Sequence, residues 1–157
     1  MKTRTARSRT LYGTFQPSRF TGRGGGGGGG TCKILALTDA LGNLVRFVLL
    51  PGHRPDTVGV PPLIDSVSFG ALIGDTAFDA NAIIAELVQR GAKAVIAQHP
   101  RRLRPLAIDE EMSKWRRLIE NFFCKLKEFK RIARRADKTD QSFAAIIHLA
   151  AAVINSR

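Results

Sequence analysis

Two apolar runs separated by a short turn constrain the fold of this chain more than any other feature. The runs cover residues 33–38 and 44–50, are rich in branched side chains, and have Asp39, Gly42 and Asn43 between them. Apolar runs of this length joined by Asp, Gly and Asn residues predict two antiparallel strands, and Asp39 is favoured in such a turn for local hydrogen bonding. The chain is therefore expected to contain a β-hairpin.

A strand, a helix and a second strand are predicted after the hairpin. A short apolar run from Ala71 to Gly74 is followed by helical spacing from Asn81 to Arg90 and by another apolar run from Lys93 to Ala97. This order predicts a parallel crossover connection. Together with the hairpin it indicates an α/β fold, in which a mixed sheet packs against helices.

Two helices are predicted in the C-terminal third of the chain. The first is expected from about Glu110 to Arg135 and the second from about Asp140 to Asn155. The apolar stripe of the first helix has helical spacing. Its members are Trp115, Leu118, Ile119, Phe122, Leu126 and Phe129.

Residues 1–31 differ in composition from the rest of the chain. They are rich in Arg, contain no Asp or Glu, and include seven consecutive glycines from Gly24 to Gly30. Because glycine loses the most backbone entropy on ordering, we expect a disordered arm followed by one domain from residue 32 to residue 157. Such an arm can hold nucleic-acid phosphates loosely, and the alternative is a frayed or recombined start of the gene product.

The balance of charged residues predicts a polyanionic partner. The chain has 25 Lys and Arg residues against 13 Asp and Glu residues, a formal net charge of +12. Nucleic acid is the commonest such partner, although a basic protein in a larger basic assembly has the same balance. No apolar run has the length that a secretory signal or a bilayer span needs, and only Cys32 and Cys124 are present, so we expect a soluble protein in a reducing cytoplasm.

Two carboxylates are candidates for a functional site. Asp75 follows a short buried strand, at the sheet edge where α/β proteins bind ligands, but an acid there is also a common turn or cap residue. Glu120 lies at the margin of the apolar stripe of the first C-terminal helix, with Arg116 and Lys127 in the same narrow sector. Taken alone, this spacing favours a simple ion pair between Arg116 and Glu120.

The spacing of Arg116, Glu120 and Lys127 resembles the signature of DDE transposases from bacterial insertion sequences, with Ser113 where the family has Tyr. The hairpin, the segment 74–80, and the segments 119–127 and 131–138 also resemble parts of this family. The resemblance covers about residues 32–154, and the order of its motifs is similar to the "IS five" group.

The resemblance implies an RNase H-like core in which three carboxylates hold two divalent ions, Mg²⁺ or Mn²⁺. Asp75 is then the second carboxylate and metal ligand and Glu120 the third, while Arg116 and Lys127 orient Glu120 or contact DNA phosphate. The first Asp belongs on a central strand upstream of the hairpin, but no acidic residue precedes Asp39. The expectation is a partial fold, truncated at the N-terminus, that lacks the central strand, exposes unpaired strand edges and is weakly stable.

The resemblance also implies a function and its partners. We expect a transposase fragment that binds transposon ends for metal-dependent phosphodiester cleavage and strand transfer, inactive alone unless a second copy or an upstream polypeptide supplies the missing Asp. Its place is then the bacterial cytoplasm, at the nucleoid. The alternative is a non-catalytic basic nucleic-acid-binding remnant. The residues expected to contact DNA phosphates, or alternatively to form a solvated surface, are Arg101, Arg102, Arg104, Lys130, Arg131, Arg134 and Arg135.

Overall fold

Five strands form one mixed sheet in a computed structural model that describes residues 11–21 and 31–156. The strands are β1 (Leu11–Thr21), β2 (Thr31–Thr38), β3 (Leu44–Pro51), β4 (Phe69–Gly74) and β5 (Lys93–Ile96). Their spatial order is β3-β2-β1-β4-β5. Neighbours are antiparallel from β1 to β3 and parallel from β1 through β4 to β5, which confirms the hairpin and the parallel crossover.

The prediction that the central strand is missing is wrong, because β1 occupies the centre of the sheet. It pairs with β2 from Thr14 to Thr21 and with β4 from Leu11 to Thr14. The edges of β2 and β4 that were expected to be unpaired are thus covered. The predicted disordered arm is also wrong for residues 11–21 and for Thr31, which begins β2, while residues 1–10 and 22–30, with the glycine run, lie outside the described residues.

β1 is held in the centre by burial on both of its faces. Phe15 is 1% exposed on one face and Phe20 is 2% exposed on the other. Pro17 weakens the strand pattern in the sequence, since proline cannot donate to a ladder. The pairing with β4 reaches only Thr14, so at Pro17 one edge of β1 belongs to no ladder and proline is tolerated there.

Helices cover both faces of the sheet and give three layers. One face packs against α1 (Val60–Ile64) and α2 (Asn81–Gln89). The helices that follow β5 are α3 (Glu110–Ser113), α4 (Arg116–Glu128), α5 (Lys130–Ala133) and α6 (Asp140–Asn155). The opposite face packs against α4, α5 and α6. The range predicted for α6 is confirmed, and within the described ranges no helix is long and apolar enough to cross a membrane.

The single long helix predicted from Glu110 to Arg135 is wrong, because three helices occupy this stretch. The backbone of Phe129 leaves the helical region, with ψ at 98°, and ends α4. The change of direction allows Ile132 in α5 to be buried in the same core as Phe122 of α4 and Phe143 of α6. Burial of these side chains outweighs continuation of a regular helix.

Candidate active site and nucleic-acid interface

Asp75 continues the extended backbone of β4 by one residue, with φ at −89° and ψ at −179°. Its Oδ1 accepts a hydrogen bond of 2.9 Å from the backbone N–H of Ala77 and begins the 3₁₀ turn Thr76–Phe78. Asp75 is therefore the cap residue that the sequence allowed. Its half-buried position at the end of β4 is also the sheet edge where ligands bind in α/β proteins.

Glu120 lies on α4 beside the buried face of that helix. Ile119 and Phe123 are buried, whereas Glu120 is exposed. The alternative ion pair with Arg116 is not formed, since no ion pair within residues 11–21 and 31–156 includes either side chain. An exposed carboxylate without a salt bridge can accept a cation or a donor from another molecule.

Two contacts fix the direction of α4 relative to β1. At one end the ring of Trp115 lies 5.8 Å from that of Tyr12. At the other end Nζ of Lys127 lies 5.6 Å from the ring centroid of Phe20. The helix therefore runs in the same direction as β1 and across the same face of the sheet.

Leu118 lies on the side of α4 that faces the hairpin. Its Cβ is 3.5 Å from the position that a Cβ on Gly42 would occupy. Gly42 belongs to the turn between β2 and β3. Glu120 is two residues further, about 200° around the helix, and therefore lies on the opposite flank, toward β4. Arg116 shares this flank because it lies one turn before Glu120.

Gln16 of β1 was missed by the sequence predictions and lies at the level of both carboxylates. Thr14 pairs with Ile73, so two residues further along each strand Gln16 is level with Asp75. Glu120 lies about two fifths of the way from the Tyr12 end of α4 to the Phe20 end, beside the Phe15–Gln16 step. Side chains alternate along a strand, so Gln16 points to the α4 face, as Tyr12 and Phe20 do. Gln16 and Glu120 therefore lie on the same face of the sheet, and Gln16 is level with Asp75.

Arg102 has a structural partner. Its side chain is 15% exposed, and its guanidinium forms an ion pair with Asp79 and donates to Oδ1 of Asn81 at 2.7 Å. The Asp79 side chain is 4% exposed, and its Oδ2 also accepts from the backbone N–H of His99 at 2.8 Å. These contacts anchor the loop after β5, on which Arg101 and Arg104 are exposed.

Two of the arginines that follow α4, Arg131 and Arg135, also have partners within the chain. Arg131 donates to Asp137 at 2.8 Å and thereby lowers the pKa of that carboxyl. Arg135 pairs with Asp140 and lies over the ring of Phe143. Of the seven basic residues predicted to contact DNA, four are exposed and make no ion pair within the described part of the chain. They are Arg101, Arg104, Lys130 and Arg134, and together we call them the basic surface.

The basic surface lies toward the Asp75 end of the sheet. The loop carrying Arg101 and Arg104 follows β5, which is parallel to β4, so it begins at the edge where β4 ends. Lys130 and Arg134 follow α4, which runs in the same direction as β1, and β1 is parallel to β4. All four cations therefore lie at the end of the sheet toward which β1, β4 and β5 run, Arg101 and Arg104 after β5 and Lys130 and Arg134 near the end of β1.

The side chains at this site do not fit a pair of divalent ions held by three carboxylates. No group of three His, Cys, Asp or Glu residues that could hold a metal ion occurs among residues 11–21 and 31–156. Positions 16, 75 and 120 offer two carboxylates and the neutral amide of Gln16, and one oxygen of Asp75 already accepts from Ala77. The charge that gathers two divalent ions is thus reduced by one carboxylate.

The comparisons with known proteins agree with this architecture. The catalytic core domain of BIV integrase covers 89% of this chain and 80% of its own length, with a TM-score of 0.53 and 16% identity. That likeness shows the fold alone, which is RNase H-like. A putative transposase for insertion sequence element IS6501 from Brucella ovis is 37% identical over 126 residues, which are 79% of this chain and 97% of that protein.

The family model described as "Transposase DDE domain" matches residues 4–155. This match begins upstream of the predicted segment 32–154 and includes β1. The narrower "IS five" grouping stays a prediction. Since the matched segment spans nearly the whole chain, the chain belongs to the transposase DDE-domain family.

Proposed function

We propose that this chain binds DNA through the basic surface and presents Asp75 and Glu120 to the phosphodiester backbone. The observation that carries the proposal is the placement of four exposed cations at the end of the sheet where β4 ends, in a member of a transposase family. Cations of this kind contact phosphates without reading bases. The proposed DNA partner is a transposon end, and the proposed place of binding is the nucleoid in the bacterial cytoplasm.

We further propose that the chain takes part in metal-dependent cleavage of DNA and in strand transfer. Asp75 and Glu120 are its metal ligands, with Mg²⁺ or Mn²⁺ as the ion, and Arg116 and Lys127 orient Glu120 or contact phosphate. Two carboxylates are too few to hold a pair of divalent metal ions, so the chain alone is expected to cleave DNA slowly or not at all. A second copy of the chain or another transposase polypeptide would have to supply a further ligand.

A non-catalytic nucleic-acid-binding protein is the second candidate function. It is favoured by one observation, that the described residues contain no cluster of three metal-binding side chains. In this alternative the basic surface accounts for all activity, and Asp75 is only the cap of the turn that follows β4.

DNA binding is tested by fluorescence anisotropy with a short duplex at several salt concentrations. Affinity should fall as salt rises, and replacing both Arg101 and Arg104 with Gln should reduce the slope of log K against log salt by about 2. A duplex that is not bound at low salt would contradict the proposal.

A nicking assay with Mg²⁺ or Mn²⁺ separates the two candidates. Slow nicking that disappears in Asp75→Ala and in Glu120→Ala would support the cleavage proposal. Normal DNA binding without nicking would favour the non-catalytic protein.

A further inference from the structure

We propose that Gln16 stands where the missing first carboxylate of this site belongs, and that one substitution, Gln16→Asp, completes a divalent-cation site with Asp75 and Glu120. The inference rests on the proposed roles of Asp75 and Glu120. It adds a residue of the central strand, which the sequence predictions left out, and attributes the incomplete site to one side chain.

The pairing of β1 with β4 selects Gln16 among the residues of its strand. Thr14 is level with Ile73, inside the sheet, and is buried. Phe15 points to the other face, where its ring lies 4.2 Å from the ring of Phe78. Ser18 faces α4 but lies two residues beyond the level of Asp75, about 6.6 Å along the strand. Only Gln16 combines the right face with the right level.

The position of α4 independently selects the same residue. Trp115 contacts the start of β1 and Lys127 lies over Phe20 near its end, so Glu120 falls beside the middle of the strand. The contact of Leu118 with the hairpin turns the Glu120 flank toward β4. Two sets of contacts that share no residue pair thus bring Gln16 and Glu120 together with the end of β4.

The chemistry of the side chain explains why the site is incomplete. The Gln16 amide offers one neutral oxygen, whereas a carboxylate offers two oxygens and a negative charge. Affinity for hard divalent cations depends on the number of charged ligands. Three carboxylates at one site also repel each other until a cation neutralises them. An amide at position 16 therefore relieves this repulsion and weakens cation binding.

The test compares Gln16→Asp with Ser18→Asp, a matched control that adds the same charge to the same face of the same strand. Mn²⁺ binding to each full-length chain is measured by isothermal titration calorimetry, and the thermal midpoint is measured with and without Mg²⁺. Gln16→Asp should bind Mn²⁺ at least about tenfold more tightly than the unmodified chain. Its thermal midpoint should fall without cation and recover with Mg²⁺, whereas Ser18→Asp should show neither change.

A second substitution tests whether the gain depends on Asp75. The added affinity should disappear in the double variant Gln16→Asp/Asp75→Asn. If Gln16→Asp fails to fold, as judged by circular dichroism, Gln16→Glu provides the same charge with the native side-chain length. Equal gains in Gln16→Asp and Ser18→Asp would overturn the proposal, and so would a folded Gln16→Asp chain without any gain.

These outcomes are separable from failure of the proposed function. Cation binding is measured without DNA, and DNA binding is measured on the unmodified chain. A gain in Mn²⁺ affinity in a chain that binds no duplex would remove the proposed function and leave the role of position 16 intact. Duplex binding by the unmodified chain, with no gain in Mn²⁺ affinity in Gln16→Asp, would overturn the role of position 16 and leave the proposed function intact.

Discussion

Asp79 shows at the residue scale how a carboxylate near the candidate site serves the fold. Its side chain is almost completely buried and accepts from Arg102 and from the backbone of His99. The loop that carries Arg101 and Arg104 is therefore fastened to the segment that follows β4. Arg102, although predicted to bind DNA, has its guanidinium directed inward to this carboxylate.

Replacing Arg102 with Met should destabilise the chain by about 3 kcal/mol, because it leaves the buried Asp79 carboxylate without its cation. Urea denaturation monitored by circular dichroism measures this loss. Arg101→Met on the same loop is the matched control and should change stability by less than about 0.5 kcal/mol, since Arg101 is exposed. Equal effects of the two substitutions would refute the structural role of Arg102.

The pair of Arg131 and Asp137 predicts a dependence of stability on acid pH. Arg131 donates hydrogen bonds that lower the pKa of Asp137 in the folded chain. The stabilising contribution is complete above the ordinary Asp pKa of the unfolded chain and is lost as the pH falls through the lowered pKa. Asp137→Asn should therefore lower the thermal midpoint at pH 7, and the difference from the unmodified chain should shrink as the pH falls below about 4.

Asp65→Asn is the control for this pH series, because Asp65 is exposed and forms no ion pair within the described ranges. Its thermal midpoint should follow that of the unmodified chain at every pH. A difference for Asp137→Asn that stays constant down to the lowest pH would show that the ion pair is not its source.

At the scale of elements, β1 is the part of the fold on which the candidate site depends. It pairs with β2 and β4 and brings Phe15 into one core and Phe20 into the other. Without it, Asp75 on β4 and Glu120 on α4 would have no common neighbour.

Truncation of Phe15 tests the place of β1 in the sheet. Phe15→Ala should reduce the free energy of unfolding by about 3 to 5 kcal/mol, because the ring is buried against Gly74 and Phe78. Thr21→Ala, an exposed change on the same strand, should cost less than about 0.5 kcal/mol. Chemical denaturation of both variants provides the comparison, and a small loss for Phe15→Ala would mean that β1 is not central.

The elements that could be predicted from the sequence are those whose own side chains carry the pattern. The runs of β2 and β3 are apolar and flank a turn in which Asp39 accepts from the N–H groups of Leu41 and Asn43, as expected. The strands β4 and β5 are also apolar runs. β1 is different, since Gly13, Pro17 and Arg19 interrupt its pattern and its burial comes from neighbours distant in the sequence.

The candidate site was predictable only where acidic residues mark it. Asp75 follows an apolar run and Glu120 interrupts an apolar stripe, so the sequence pattern indicates both as candidate site residues. Gln16 carries no charge and lies in β1, a strand that the sequence pattern does not predict. Only the register of β1 with β4 indicates Gln16 as a candidate site residue. The break at Phe129 was equally hidden, because it results from burial of Ile132 against other helices.

For the whole molecule, the central strand predicts a single cooperative unfolding transition. The two helical layers have separate cores, but β1 contributes a buried aromatic residue to each. Loss of the sheet should therefore expose both cores at once. The fluorescence of Trp115, which reports on the α4 side, and far-ultraviolet circular dichroism should give the same midpoint in urea. Two separated transitions would show that the layers unfold independently.

The central claim, that positions 16, 75 and 120 meet on one face of the sheet, is tested most directly by anomalous diffraction from Mn²⁺-soaked crystals of the Gln16→Asp chain. We predict one anomalous peak within coordination distance of the side chain at position 16, of Asp75 and of Glu120. Side chains of Asp75 and Glu120 on opposite faces of the sheet, with no peak between them, would contradict the account.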